Sequence, residues 1–262
     1  MDRFLQDDLV YYRFSSFDEL PAVDHAVFTR LGGASNAPFA SLNLGGSVGD
    51  NRACVDRNHQ RAYHVLNVAK HNTVTAWLVH GRAVRAVGVR QAGQVVKHVD
   101  GLVTQDRDLC LFMRFADCVP LIFYDPVRNA IGIAHAGWRG TLAGVGPATV
   151  LVMQRQFASS VEDIRVGVGP GICSSCYAVG DEVVDAVRRA FKDSQSLLPT
   201  ANGVAHFDIP AANERQLREI GVIAIEHAGI CTSCRVDEFY SYRSEGGTTG
   251  RFGVGIVLRG NN

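Results

Sequence analysis

Three stretches of the sequence set a side chain capable of base, nucleophile or metal-ligand chemistry beside an apolar run. In Ile131-Gly132-Ile133-Ala134-His135-Ala136-Gly137-Trp138-Arg139-Gly140, the histidine falls where a buried strand should give way to a glycine-rich turn and then a helix. That is where α/β folds expose functional groups. Cys118 stands at the polar entrance of Val119-Pro120-Leu121-Ile122-Phe123-Tyr124, beside Asp117. Upstream, Trp77-Leu78-Val79-His80-Gly81 repeats the arrangement, an apolar strand ending in histidine with a glycine next to it that permits close approach of another group. Two imidazoles and one thiolate make a three-ligand set for Zn²⁺ whose fourth tetrahedral position stays open, which is the pattern of catalysis rather than scaffolding. Taken singly, Cys118 also reads as a small buried hydrophobe and each histidine as a hydrogen-bonded structural group. The three are far apart in sequence, so only the fold can bring them together.

Other patterns compete. Cys118 with His135 as its base would make an activated thiolate pair, the machinery of a thiol hydrolase. Cys173-Ser174-Ser175-Cys176 and Cys231-Thr232-Ser233-Cys234 are two CxxC pairs, the usual sign of a four-thiolate structural zinc or a redox pair, although they lie much farther apart than in a zinc ribbon. Gly45-Gly46-Ser47-Val48-Gly49 matches a nucleophile elbow in form, but little strand precedes it. Gly167-Val168-Gly169-Pro170-Gly171 lacks the spacing of a dinucleotide loop.

The elements that must hold these groups follow from periodicity. Strands are predicted over 9–14, 26–29, 73–79, 84–89, 109–115, 119–124, 130–134, 164–168, 222–225 and 252–258. Helical spacing covers 50–66, with Asp50 as its cap, then 141–157, 181–192 and 210–220. Strands cluster in the middle and helices scatter around them, which predicts an α/β (α+β) layered sandwich of mixed β-sheets flanked by helices. No linker or internal repeat divides residues 1–262, so a single domain is expected. With 26 Lys plus Arg against 26 Asp plus Glu, the chain lacks a basic face for a duplex, and small molecules become the expected partners. The first eight residues carry no basic and apolar leader, and no run is long enough to span a membrane, so a cytoplasmic protein is expected. Seven cysteines, an odd number, are expected to be thiols or metal ligands rather than a disulfide framework.

The combination of Thr29-Arg30-Leu31-Gly32-Gly33, Ser41-Leu42-Asn43-Leu44-Gly45, Ala116-Asp117-Cys118-Val119-Pro120 and His135-Ala136-Gly137-Trp138-Arg139-Gly140 resembles the laccase-domain family. It is also called polyphenol oxidase or multicopper oxidase-like, and its members are described as purine nucleoside phosphorylases. The resemblance continues in order through Gly169-Pro170, Cys176-Tyr177-Ala178-Val179-Gly180, Cys231-Thr232-Ser233-Cys234 and Phe239-Tyr240-Ser241-Tyr242-Arg243, covering nearly the whole chain. It implies a zinc ion held by His80, Cys118 and His135. The implied reaction is phosphorolysis of adenosine, inosine and S-methyl-5'-thioadenosine to free base and sugar 1-phosphate, with adenosine deamination beside it. Copper-dependent oxidation of phenols is the family's earlier assignment. The chain departs from the family pattern at Leu78, where glutamine is usual, and at Phe115, where threonine is frequent; both put the pocket wall in question and neither removes a ligand.

Each implied activity makes its own demand. Deamination needs a zinc-activated water and a proton shuttle; Asp117 is the nearest carboxylate in sequence but is more readily an orienting group. Phosphorolysis needs an anion site, for which Arg139 is the first choice, Arg243 and Arg30 further ones, and Asn43 a weaker contact to sugar or phosphate. Oxidation by a multicopper centre needs many paired histidines, which nine scattered ones do not supply, although copper can occupy such ligands in vitro.

Overall fold

Val119–Asp125, Ala130–Ala136 and Phe252–Leu258 are strands buried along their whole length, as near-continuous apolar runs must be when both faces of a sheet are covered. The computed structural model describes residues 1–18, 20 and 22–260. Among these residues one sheet has seven strands, in the order Asp2–Gln6, Leu9–Arg13, Val23–Phe28, Phe252–Leu258, Cys110–Phe115, Thr73–Trp77 and Val95–Lys97. A second has six, in the order Ala224–His227, Arg165–Val168, Val119–Asp125, Ala130–Ala136, Gly101–Thr104 and Val84–Ala86. Both mix parallel and antiparallel neighbours.

Period-two alternation sorts the side chains into layers. Leu111, Met113, Val254 and Ile256 of the first sheet meet Ile122, Tyr124, Ile131 and Ile133 of the second in a core between the sheets. The intervening residues Leu121, Phe123 and Ala134 pack outward under the helices Val145–Phe157 and Ile209–Glu219. Phe28, Phe112 and Val257 cover the opposite face, beneath the helix Arg52–Val65. The result is the expected sandwich of mixed sheets between helical layers.

Local departures from the sequence reading have identifiable causes. Asn51, not Asp50, caps the first long helix, its Oδ1 accepting the N–H of Ala53 at 2.9 Å. Asp50 is occupied by Ser35 Oγ and Asn43 Nδ2. The helix expected over 141–157 is two, Trp138–Ala143 and Val145–Phe157, separated by Gly144 at φ +81°. Strands Asp2–Gln6, Val95–Lys97 and Gly101–Thr104 escape pattern reading because the first is a largely exposed edge and the others are very short. Ser47 lies in an exposed turn with no strand before it, so there is no nucleophile elbow. Gly167 is a strand residue lying against the Phe14 ring, where a Cβ would come within 2.6 Å.

His25 gives the sandwich an acid sensitivity. It is buried against the rings of Phe14 and Phe17, and its Nε2 accepts the Phe14 N–H at 2.7 Å. Burial, then the nearby Arg13 charge, push its pKa from 6.5 down to about 3. The unfolded chain takes up this proton near 6.5 and the native state does not. The contribution to stability is therefore complete above 6.5 and lost as pH falls toward 3, by up to about 1.4 kcal/mol per pH unit. Urea unfolding should show a loss of roughly 2 kcal/mol between about pH 7 and about pH 5. His25→Gln, which keeps an acceptor for Phe14, should flatten that slope; an unchanged slope would reject the assignment.

Candidate metal and substrate site

Parallel pairing of Thr73–Trp77 with Cys110–Phe115 makes both strands leave the first sheet at the same end. Three residues beyond those ends stand His80 and Cys118. The chain then enters the second sheet, where Val119–Asp125 begins directly after Cys118 and runs antiparallel to Ala130–Ala136. In that register His135 faces Pro120 and Ala136 faces Val119, so His135 arrives beside Cys118. The ligand atoms of His80, Cys118 and His135 lie within 4.8 Å of one another. The two imidazoles meet edge to face, 4.8 Å between centroids. One expectation is corrected: His80 does not end a strand but sits in the following loop, exposed, at φ +58°.

A residue that sequence reading missed organises this arrangement. Asp100 is buried at the start of Gly101–Thr104, the strand beside Ala130–Ala136, so its backbone C=O accepts the His135 N–H at 2.8 Å. Its Oδ1 accepts His135 Nδ1–H at 3.2 Å and His80 N–H at 2.9 Å, while Oδ2 accepts Gly81 N–H at 2.7 Å. A carboxylate on Nδ1 fixes the tautomer and leaves Nε2 as the donor. Burial opposes the Asp100 charge, and these hydrogen bonds outweigh it and hold the pKa below the ordinary value.

Cys118 and His135 reinforce each other. Burial would raise the Cys118 thiol, but the His135 charge and hydrogen bonds from both imidazoles bring it down to about 6. Burial would likewise neutralise His135, but the Cys118 and Asp100 charges raise it to about 9. The site thus favours a thiolate beside a positive charge, and a divalent cation can supply that charge in place of the proton. The backbone leaves room: at Gly137 a Cβ would lie 3.0 Å from Cys118 Sγ and 3.1 Å from His80 Nδ1. These donors fit a zinc ion. Gly137→Ala should push the donors apart and weaken metal retention by about tenfold, measured by chelator competition; unchanged affinity would show that the glycine does not matter.

His80 and Cys118 line a cleft of about 500 Å³ whose walls include Trp138, Arg139, Ile172, Tyr177, Ile209 and Tyr242, with His135 buried behind them. Arg139 is exposed, its guanidinium 4.1 Å over the Trp138 ring and 3.7 Å from Glu182. Arg243 lies 4.9 Å from the Tyr177 ring and donates from Nη1 to the Ala178 carbonyl. Asn43 is outside the residues lining the cleft: it is buried, receives N–H groups from Gly45 and Arg251, and donates to Asp50. Arg30 is held by Ala40, Val236 and Glu245. Asp117, at φ +77°, accepts Thr232 Oγ1–H and Arg243 N–H, each at 2.7 Å, and ties down the loop over the cleft. Phe115 packs on His135 at 5.5 Å and Leu78 packs against the core. The aromatic residues Tyr177 and Tyr242 could have been found from their places in the family motifs. The thiols of Cys173, Cys176, Cys231 and Cys234 also converge, all within 4.8 Å.

Two mixed sheets stacked between helices, with a cluster of three donors at the sheet ends, define the architecture and its centre. The chain belongs to the family described as multi-copper polyphenol oxidoreductase laccase, whose model matches residues 24–259. It is 39% identical over 235 residues to purine nucleoside phosphorylase YlmD of Geobacillus stearothermophilus, covering 85% of each chain. It is 36% identical over 179 residues to adenosine deaminase RL5 of an unknown prokaryotic organism, covering 67% of this chain and 68% of that one. The crystal structure of YlmD from Geobacillus stearothermophilus aligns with a TM-score of 0.91 at 34% identity, covering 99% of this chain and 100% of that one. No helix among the described residues is long and apolar enough to cross a membrane.

Proposed function

We propose that this chain is a cytoplasmic, zinc-dependent purine nucleoside enzyme. It splits adenosine, inosine and S-methyl-5'-thioadenosine with phosphate into free base and sugar 1-phosphate, and deaminates adenosine as a second activity. The observation that carries this reading is the meeting of His80, Cys118 and His135, the first two of them in the wall of an aromatic, arginine-bearing cleft. The names of the relatives support it. His80, Cys118 and His135 would hold the ion, which when bound supplies a Lewis acid beside the substrate, able to polarise an oxygen or acidify a water.

The remaining work falls to the chain's own groups. Trp138, Tyr177 and Tyr242 offer flat apolar faces to a purine. Arg139, a lining residue whose exposed pairing to Glu182 is weak, and Arg243, which is outside the lining but stacks on the lining residue Tyr177, are the candidates to receive phosphate. In phosphorolysis a phosphate oxygen bonds to the anomeric carbon as the bond to the purine nitrogen breaks, and that nitrogen keeps the electron pair. Asp100 keeps His135 in one orientation throughout. Copper can occupy the same donors in vitro. A multicopper oxidase would need several further histidines around a trinuclear centre; among the described residues the other donor cluster contains only cysteines.

Product analysis with adenosine, with and without phosphate, tests the reading. Adenine and ribose 1-phosphate should form only with phosphate, and inosine should form regardless of it. If neither product exceeds a chelator-treated control, the reading fails. A thiol hydrolase built on Cys118 would instead stay active after chelation until its thiol is alkylated, whereas the zinc enzyme should lose activity on chelation alone and recover when the ion is restored.

A further inference from the structure

We propose that Cys173, Cys176, Cys231 and Cys234 bind one structural zinc ion, a second metal site that pins together two loops walling the cleft. The two CxxC pairs are distant in sequence, and the fold joins them by backbone before any metal is needed. Gly171 forms a parallel bridge to Cys231, with Thr232 N–H donating to the Gly171 carbonyl at 3.1 Å. Cys173 N–H donates to Cys231 Sγ at 3.2 Å, and Cys176 and Cys234 bring their sulfurs to 3.4 Å.

All four sulfurs lie within 4.8 Å of one another. A tetrahedral ion bound at about 2.3 Å to each thiolate would space them by about 3.8 Å, inside the range already present. An iron–sulfur cluster, with several irons between its thiolates, would spread them wider. One disulfide would use two of the sulfurs, need an oxidant, and leave the convergence of the other two without a purpose. A zinc ion uses all four, each thiol releasing its proton to solvent, and closes the coordination shell as structural sites do. Three of the cysteines are half-buried and Cys234 is exposed, so an ion can enter without unfolding.

The consequence reaches the cleft. Tyr177 follows Cys176 directly, and Thr232, next to Cys231, donates to the same Asp117 carboxylate that receives Arg243 N–H. Crosslinking these loops fixes where Tyr177 and Arg243 stand, whatever reaction they serve.

The test uses the full chain carrying Cys118→Ala, which removes the thiolate of the His80, Cys118 and His135 site. Reduced, metal-free protein titrated anaerobically with Co²⁺ should bind about one equivalent, with charge-transfer absorption of the intensity four thiolates give. That absorption should disappear when Cys173→Ser and Cys231→Ser are added, and equally with the pair Cys176→Ser and Cys234→Ser, while circular dichroism verifies folding. Absence of thiolate charge transfer in the Cys118→Ala protein, or its survival in both serine pairs, would overturn the proposal. So would a thiol titration of freshly purified, denatured wild-type protein that found fewer than its seven cysteines free.

Discussion

Replacing Cys118 with alanine is expected to remove one bound zinc ion per chain and to lower phosphorolysis by about 10³-fold or more, since a catalytic metal contributes several kcal/mol to the transition state. Cys118 is the single thiolate of its site and the donor between the two sheets. Without it the ion would be left with two imidazoles, one of them on the exposed loop residue His80, and catalytic zinc takes three protein ligands. The fold should survive, because deleting one sulfur atom costs on the order of 1 kcal/mol. The thermal midpoint of the metal-free variant should therefore stay near that of metal-free wild type, which separates loss of the ion from loss of the structure. Metal analysis and kcat/KM on the same preparation decide the matter. A variant that lacks the ion yet turns over adenosine at the wild-type rate would remove the metal from the mechanism.

The three donors stand out in the sequence because each follows or precedes a conspicuous apolar run and two are followed within two residues by glycine. Their convergence does not, because it depends on two long-range facts that no local pattern encodes. Thr73–Trp77 must pair in parallel with Cys110–Phe115, and the chain must change sheets at Cys118. The same holds for the two CxxC pairs, which share a parallel bridge formed across the fold. Asp100 escapes notice for a different reason: an aspartate before glycine reads as a turn, and only the pairing of its strand with Ala130–Ala136 turns it toward His135. Asn43 shows how much a side chain's surroundings add to its sequence context. A polar residue inside a family-like motif suggests a substrate contact, yet its amide is consumed in holding Gly45, Asp50 and Arg251. The long buried strands were readable throughout, since a continuous apolar run has few alternatives inside a sandwich.

Asp100→Ala should cost about 3–5 kcal/mol of stability, as removing one partner from a buried charged network does, and should weaken metal binding by about 10–100-fold, as loss of a ligand-orienting carboxylate does. The residue is buried, and its removal would strip acceptors from the N–H groups of His80 and Gly81 and from His135 Nδ1. Asp100→Asn is the sharper probe because it keeps the volume and changes only the polarity of two atoms. If the new amide nitrogen takes the place of Oδ2, it meets the Gly81 N–H donor head on at the 2.7 Å now spanned by a hydrogen bond. If it takes the place of Oδ1, it faces the His80 N–H and the His135 Nδ1–H. Relief of that second clash requires His135 to move its proton to Nε2, the nitrogen that must stay free to bind the ion. Either orientation therefore harms the site, one through the loop carrying His80 and the other through the tautomer of His135. Chelator competition should place Asn close to Ala in metal affinity, while urea unfolding of the metal-free proteins should place Asn between Ala and wild type. An Asp100→Asn protein with wild-type affinity would show that the carboxylate neither orients His135 nor shapes the loop.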